Sequence, residues 1–383
     1  MTARRAIVGA LALAWAAVAC QRTPPKPPPR ATTLGPAAIA RLIVDDDVDD
    51  PEGWARDVAR ALDLAGRSAT PDHVCQVLAI IEQESGYQAD PVVPNLGAVV
   101  AGEVDKMMAR LGPAAGPVRA ALLDHTAPGA SRTFDARLQR VRTEAQADRL
   151  YREIVAFHRA RHPGLSKMMD VVAPDLVERH NPITTAGSMQ VSVSWSIEQG
   201  RARGLDAGSV RDLLYSRPGG VQYGTLRLFA TADYTEPIHR FADFNAGPYA
   251  ARNAGLQARI TTLTGIDLVR DGDVLAYHAD GRPKRGDTNT LRALYAFAEA
   301  QAPHLTPSRI RRDARLEKSA AFEDTPTWKA ISAAFEAKLG RPPAEAILPR
   351  VDLVSPKFTR PLTTQWFAEN TQRRYAACRA RAR

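Results

Sequence analysis

The chain has 383 residues, of which 45% are hydrophobic and 24% charged, and its formal net charge at pH 7 is +9. This composition excludes a disordered or collagen-like chain, and the length is too great for one small core. The positive charge favours anionic partners, among them the stem peptides of peptidoglycan and nucleic acid.

Residues 1–19 have the layout of a secretory signal peptide. Arg4 and Arg5 precede an apolar run that is shorter than the roughly 20 residues a membrane-spanning helix needs. Export argues against nucleic acid as a partner. The run ends in small residues directly before Cys20, and this resembles the lipobox of bacterial lipoproteins, with Ala17 where that motif usually has leucine.

The lipobox resemblance implies that Cys20 is lipidated and becomes the mature N-terminus, so that the protein is anchored in a membrane. Gln21 in the next position implies the periplasmic face of the outer membrane. The alternative is an ordinary signal peptide with an incidental cysteine. Residues 20–44 include a proline-rich stretch and predict an extended tether.

Two further cysteines, Cys75 and Cys378, lie beyond the tether. An oxidising compartment favours a disulfide between them, which would join the C-terminal part of the chain to the helix that carries Cys75. The alternative is a pair of buried free thiols.

Helical patterns dominate from residue 50 onward. Asp50 as N-cap and Pro51 begin a helix, and Thr70 begins another that ends at Gly86. Strand-like pieces are predicted only over 268–277. Strands and helices do not alternate as they do around a parallel sheet, so the predicted fold class is mainly α (α+β). Further helices are predicted over residues 101–111, 115–125, 133–161, 191–203, 206–215, 218–232, 234–244, 248–262, 288–302, 306–320, 326–339 and 363–380.

The chemistry is concentrated in three short motifs. Glycoside cleavage needs a carboxylic acid that keeps its proton near neutral pH, and a Glu beside an apolar helix stripe is suited to this. Both Glu82 and Glu84 border such a stripe, so helical phase alone does not choose between them. In chain order the motifs are Glu82-Gln83-Glu84-Ser85-Gly86-Tyr87, Ala186-Gly187-Ser188-Met189-Gln190-Val191 and Phe241-Ala242-Asp243-Phe244-Asn245-Ala246-Gly247-Pro248-Tyr249.

Over about residues 70–260, these motifs resemble the soluble lytic transglycosylases and, more distantly, the goose-type lysozymes. The signature of that family is a helix ending in Glu-Ser-Gly, then Gly-Leu-Met-Gln, then Ala-Tyr-Asn-Ala-Gly. The resemblance selects Glu84 as the single catalytic acid and base and implies no cofactor and no metal. It also implies a lysozyme-like helical domain that cleaves the MurNAc–GlcNAc β-1,4 bond of peptidoglycan and leaves a 1,6-anhydro product.

By the same resemblance, a group of residues from the three motifs would contact the glycan. Ser188 and Phe244 stand where the family has leucine and tyrosine, and Glu84 and Gly187 are 103 residues apart, about five times the family's usual separation. Asp243 is expected to be solvated on a helix surface. The residues assigned to the substrate are Ser85, Gly187, Met189, Gln190, Phe244, Asn245 and Tyr249.

The predicted organisation is a catalytic domain over 45–264 and a C-terminal extension of unknown role over 265–383. A helical insertion over 88–186 is expected to roof the cleft and restrict which glycans reach it. Two other functions remain open: a hydrolase of the same fold, and a peptidoglycan-binding lipoprotein without activity. The pair His158 and His162 is interpreted as part of a solvated basic face rather than as a metal site.

Overall fold

The computed structural model describes residues 32–44, 47–164, 178, 180–278, 281–353 and 362–383. The predicted signal peptide, the lipidation site at Cys20 and the tether up to residue 31 lie outside the described residues. The described residues from Thr33 to Arg383 belong to one compact unit. In the described ranges, no helix is both long and apolar enough to cross a membrane.

The fold is mainly α, as the sequence predicts. The helices are α1 (Pro36–Ala40), α2 (Pro51–Leu64), α3 (Pro71–Ser85), α4 (Leu96–Ala109), α5 (Ala115–Leu123), α6 (Phe134–Leu138), α7 (Glu144–Arg161), α8 (Val193–Arg201), α9 (Ala207–Leu214), α10 (Arg217–Leu228), α11 (Pro237–Ala246), α12 (Ala250–Thr264), α13 (Asn289–Gln301), α14 (Pro307–Ala314), α15 (Pro326–Leu339) and α16 (Thr364–Arg381).

Side chains that cap the first turn set the helix starts. Asp50 accepts a hydrogen bond from the backbone N–H of Gly53 at 2.9 Å before α2, and Thr70 accepts one from that of His73 at 3.2 Å before α3. Gly86 ends α3 with a left-handed backbone, φ 55°. The three predicted helix boundaries are confirmed.

The single helix predicted over 133–161 is wrong, because the structure has α6 and α7 there with an irregular stretch between them. Thr143 caps α7 by accepting a hydrogen bond from the backbone N–H of Gln146 at 3.3 Å. A cap at this position starts a new helix, so Glu144 becomes a first-turn residue rather than a mid-helix one.

The strand pieces predicted over 268–277 are also wrong. Tyr277 forms only an isolated antiparallel bridge with Pro283, and the carboxylate of Glu317 accepts from the N–H groups of Val274 at 2.5 Å and Leu275 at 2.9 Å. The described strands lie elsewhere, as two short antiparallel hairpins. In these, β1 (Thr185–Ala186) pairs with β2 (Val191–Ser192), and β3 (Asp352–Leu353) pairs with β4 (Leu362–Thr363).

Buried apolar side chains of the described residues form four clusters. The first joins α1, α2, α3, α10, α11 and α16, and the second joins α12 to α15. The third joins α4 to α7, and the fourth joins the β1–β2 hairpin to α8, α9 and Tyr223 of α10. The predicted C-terminal extension therefore contributes to two of these cores, and the predicted insertion over 88–186 has a core of its own.

Helix α16 packs along α3 and α11. A disulfide joins Cys378 of α16 to Cys75 of α3, the pairing that the sequence favours. The hydroxyl of Tyr375 in α16 donates a hydrogen bond at 2.5 Å to Asp72 in the first turn of α3. These bonds fix the helix that carries the first motif against a segment more than 270 residues later in the chain.

Candidate functional site

A cleft of about 640 Å³ is lined by residues of all three sequence motifs. It brings together Glu84 at the end of α3, Gln190 in the β1–β2 turn, and Phe244 and Asn245 at the end of α11. Its volume is within the range of roughly 300–1,000 Å³ that is usual for ligand sites. The other lining residues are Leu96, Val99, Val100, Glu103, Glu144, Pro182, Ile183, Thr184, Thr185, Val191, Ser192, Arg227, Ala246, Gly247 and Leu353.

The structure distinguishes Glu84 from Glu82, which helical phase alone does not. Glu84 is half-buried and lines the cleft. Glu82 is not among the residues that line it and instead forms an ion pair with Arg374 of α16, with 3.3 Å between Nε and Oε1. Because Val77 and Ile81 on the same helix are fully buried in the first core, Glu84 lies where that core meets the cleft.

Gln190 has both ends of its amide bound to protein. Its Nε2 donates to a carboxylate oxygen of Glu144 at 2.9 Å, and its Oε1 accepts from the hydroxyl of Thr185 at 2.9 Å. Its backbone is left-handed, φ 47°, which is uncommon for a residue other than glycine. The turn conformation therefore directs this side chain toward Glu144 as well as into the cleft wall.

Two other second-motif residues support the turn and do not line the cleft. Gly187 has φ 80°, and a Cβ there would clash with the carbonyl oxygen of Leu214, so glycine is required. Met189 is fully buried in the first core, against Gly224 of α10. Both residues were predicted to contact the substrate, and neither is among the described residues that line the cleft.

Asn245 and Phe244 lie in the cleft wall at the end of α11. The side-chain oxygen of Asn245 accepts a hydrogen bond at 2.8 Å from the hydroxyl of Thr364, the buried first residue of α16. This bond directs the amide NH₂ group of Asn245 away from Thr364. The C-terminal part of the chain thus orients a cleft residue and, through Leu353, lines the cleft itself.

Ser85 and Tyr249 are the remaining predicted substrate residues, and neither lines the cleft. The hydroxyl of Ser85 donates to the backbone carbonyl of Ile81 at 3.1 Å. The ring of Tyr249 is covered by the guanidinium of Arg252, 4.1 Å from the ring centroid. Both side chains therefore contact other parts of the protein, whereas the sequence predicted that they contact the glycan.

The prediction that Asp243 is solvated is wrong, since this residue is 1% exposed. Its carboxylate accepts hydrogen bonds from the backbone N–H groups of Tyr249 at 2.9 Å and Ala251 at 2.7 Å. The hydroxyls of Tyr234 and Thr231 also donate to it. Asp243 therefore joins the end of α11, which carries Asn245, to the start of α12.

Three charged residues of the cleft were not predicted from the sequence, Glu103, Glu144 and Arg227. Glu144 is the first residue of α7, but the sequence pattern predicts one helix over 133–161 and so hides this position. Burial lowers the pKa of Arg227, whose guanidinium lies 5.7 Å from the ring centroid of Trp195. Only the folded structure places these residues beside Glu84.

The predicted insertion contributes a wall of the cleft through α4. Leu96, Val99 and Val100 give this wall apolar surface, and Glu103 gives it a carboxylate that pairs with Lys106 at 2.7 Å. The wall is therefore largely apolar, with a neutralised charge at one end.

Among the described residues, no group of three or more His, Cys, Asp or Glu side chains is placed to hold a metal ion. His158, one member of the pair discounted above, has Nε2 at 3.0 Å from the backbone carbonyl oxygen of Leu122. Its ring is therefore engaged in packing α7 against α5.

Comparison with known proteins gives a family without an assigned role. A family described as "Protein of unknown function (DUF1615)" matches residues 47–381. A protein of Escherichia coli strain K12, described as "Uncharacterized protein YaiW", is 34% identical over 345 residues, which cover 89% of this chain and 89% of that protein. No solved structure matches.

These matches correct the family resemblance drawn from the motifs. The prediction of a soluble lytic transglycosylase or goose-type lysozyme-like family is wrong, because the family that matches is DUF1615, over nearly all of the chain after the tether. The three motifs are short, and Glu-Ser-Gly in particular arises often by chance. The positions of their residues in one cleft stand independently of that resemblance.

Proposed function

The chain belongs to the DUF1615 family, and we propose that it cleaves the glycan strands of peptidoglycan, with Glu84 as the acid and base of the reaction. One observation carries the proposal: Glu84, Gln190 and Asn245 come from three distant segments and line the same cleft. A half-buried carboxyl group beside apolar surface is suited to donate a proton, and the amide of Asn245 is suited to bind the hydroxyl and N-acetyl groups of sugars.

In the proposed reaction, protonated Glu84 gives its proton to the oxygen that links MurNAc to GlcNAc, and the bond from C1 to that oxygen breaks. The carboxylate then takes the proton of the C6 hydroxyl as that oxygen bonds to C1, which leaves a 1,6-anhydro end. One C–O bond breaks and one forms, and Glu84 recovers its proton. The step needs no metal and no cofactor.

The proposal includes the lysozyme-like arrangement of elements that the sequence predicts, but not membership of a lysozyme family. Its support is the position of the acid at a helix end and of a two-stranded hairpin whose turn lines the same cleft. The proposed site of action is the periplasmic face of the outer membrane, with Cys20 as the lipid anchor and the proline-rich segment as the tether.

Hydrolysis by the same cleft is the second candidate, and the presence of Glu144 favours it. Most glycosidases use two carboxyl groups, and Glu144 gives this cleft a second one near the turn that carries Gln190. In that reaction, water takes the place of the C6 hydroxyl and a reducing end results.

Mass spectrometry of the products released from purified sacculi tests the proposal. Wild-type protein is expected to release 1,6-anhydro muropeptides, whereas reducing ends would favour hydrolysis. Glu84→Gln should lower the release by about 10³-fold or more, because it removes the proton that the leaving oxygen needs. Glu82→Gln, on the same helix turn but paired with Arg374, is the matched control and should keep most activity.

A wild-type protein that binds sacculi and releases nothing would refute catalysis and leave a binding role. Equal activity of the Glu84→Gln variant and the wild type would assign the acid to another residue.

A further inference from the structure

The cleft contains three carboxyl groups, and their surroundings differ. Glu84 is half-buried at the end of α3, and Glu103 is paired with Lys106. Glu144 is 3% exposed and accepts a hydrogen bond from the amide of Gln190. Glu103 is therefore the partly exposed, ion-paired carboxyl group of the three, whereas Glu144 is the buried one that an amide donor holds in the cleft wall.

We propose that Glu144 is a second catalytic carboxylate, which stabilises the positive charge that develops on the sugar ring during cleavage, and that Gln190 is its positioning residue. This inference rests on the proposed function and adds a partner to Glu84. Glycosidic cleavage passes through an oxocarbenium-like transition state, and a fixed negative charge in a partly desolvated cleft stabilises such a state.

Two features of the fold hold Glu144 in place. It is the first residue of α7, a position where the helix dipole favours an acidic side chain. The backbone N–H of the next residue, Ala145, donates to Asp90 at 3.2 Å, which anchors this helix end to the segment that follows α3.

The side chain of Gln190 is oriented by its two partners. A carboxylate only accepts hydrogen bonds, so the NH₂ group of the amide must face Glu144, and the amide oxygen then accepts from Thr185. A left-handed backbone at a residue other than glycine costs of order 1 kcal/mol or more and persists where the surroundings impose it. Here the turn imposes it and thereby directs the donor of Gln190 at Glu144.

Steady-state kinetics on soluble glycan strands of defined length test the inference with full-length protein. Glu144→Gln is nearly isosteric and should lower kcat by about 10²–10³-fold with KM within about threefold, because the lost charge acts mainly on the transition state. Glu153→Gln is the matched control, because Glu153 is on the same helix, does not line the cleft and is paired with Arg137 at 2.5 Å, and it should change kcat by less than about threefold.

Gln190→Leu should lower kcat by about tenfold. If Gln190 acts through Glu144, the double variant Gln190→Leu/Glu144→Gln is no slower than Glu144→Gln alone, and a merely structural role of Gln190 would make the two effects add. Circular dichroism checks that each variant folds. Should Glu144→Gln fail to fold, Glu144→Asp, which keeps the charge and shortens the side chain, is expected to fold and to lose at least tenfold in kcat.

The outcomes separate the two proposals. A folded Glu144→Gln variant with wild-type kcat, beside an inactive Glu84→Gln variant, overturns the role of Glu144 and leaves the proposed function intact. A wild-type protein without activity on sacculi or strands refutes the proposed function, and the role of Glu144 with it.

Discussion

Asp243 has four hydrogen-bond donors around one buried carboxylate, two of them backbone N–H groups at the start of α12. An isosteric amide has one oxygen and cannot accept all four bonds. Its NH₂ group would face donors, and buried donors without an acceptor cost roughly 1–3 kcal/mol each. The carboxylate is therefore a structural requirement of the segment that presents Asn245.

Asp243→Asn should lower the free energy of unfolding by about 2–4 kcal/mol, as measured by urea denaturation. Asp324→Asn is the control: its side chain is 87% exposed and its ion pair with the 64% exposed Lys329 spans 3.9 Å, so a change below about 1 kcal/mol is expected. Equal effects of the two substitutions would contradict the role assigned to Asp243.

At the residue scale, the sequence identified the acid and two amides of the cleft but not their surroundings. Glu84, Gln190 and Asn245 were found because they stand in short motifs. Glu144 was missed because the pattern over 133–161 suggests one continuous helix, which hides its position in a first turn. Asp243 was misjudged because its donors lie in the segment before α11 and at the start of α12, and helical periodicity does not contain them.

At the scale of elements, a glycine in α10 allows this helix to pack closely against the turn that carries Gln190. A Cβ at Gly224 would lie 2.5 Å from the Cβ of Met189, well below the distance that real Cβ atoms show. Met189 is the residue next to Gln190, so pressure on it is transmitted to the cleft.

Gly224→Ala should therefore destabilise the protein by about 1–3 kcal/mol and lower glycan cleavage by displacing Gln190. Gly255→Ala, inside α12, is the matched control, because a Cβ there meets its nearest atom at 3.6 Å, an ordinary contact. It should be neutral or stabilising by up to about 1 kcal/mol, since alanine favours helix. Thermal unfolding monitored by circular dichroism measures both, and a Gly224→Ala variant as stable as wild type would show that Met189 has room to move.

Most helices could be predicted because their signals are local. The N-cap and proline pairs at residues 50–51 and 70–71 mark starts, and Gly86 marks an end. The β1–β2 and β3–β4 hairpins could not be predicted, since each strand has two residues and shows no alternation. The stretch 268–277 resembles strand in its apolar residues around a turn, but Glu317, some 40 residues later, accepts the backbone hydrogen bonds of Val274 and Leu275.

At the scale of the whole molecule, the disulfide closes a loop between residues separated by 303 positions. Cross-links across long loops remove much of the conformational freedom of the unfolded chain, and their loss typically costs about 2–5 kcal/mol. The bridge joins the helix that carries Glu84 to the helix whose first residue orients Asn245. Stability and the geometry of the cleft are thus linked through α16.

Replacing both cysteines by serine should lower the free energy of unfolding by about 2–5 kcal/mol, as measured in urea. A reducing agent should bring the wild type to the level of the double variant and leave that variant unchanged, which provides the control. Wild-type protein that loses no stability on reduction would indicate that the packing of α16 alone is sufficient.

If the chain is exported as proposed, the separation of these two cysteines has a consequence for the order in which the cleft is completed. A chain that is exported with its N-terminus first delivers α3 long before α16. Until the later helix arrives, the flank of α3 is uncovered and Asn245 lacks the hydroxyl that orients it. On the proposed function, a partly translocated chain therefore does not yet cleave glycan strands. Activity is expected only after α16 has crossed the membrane.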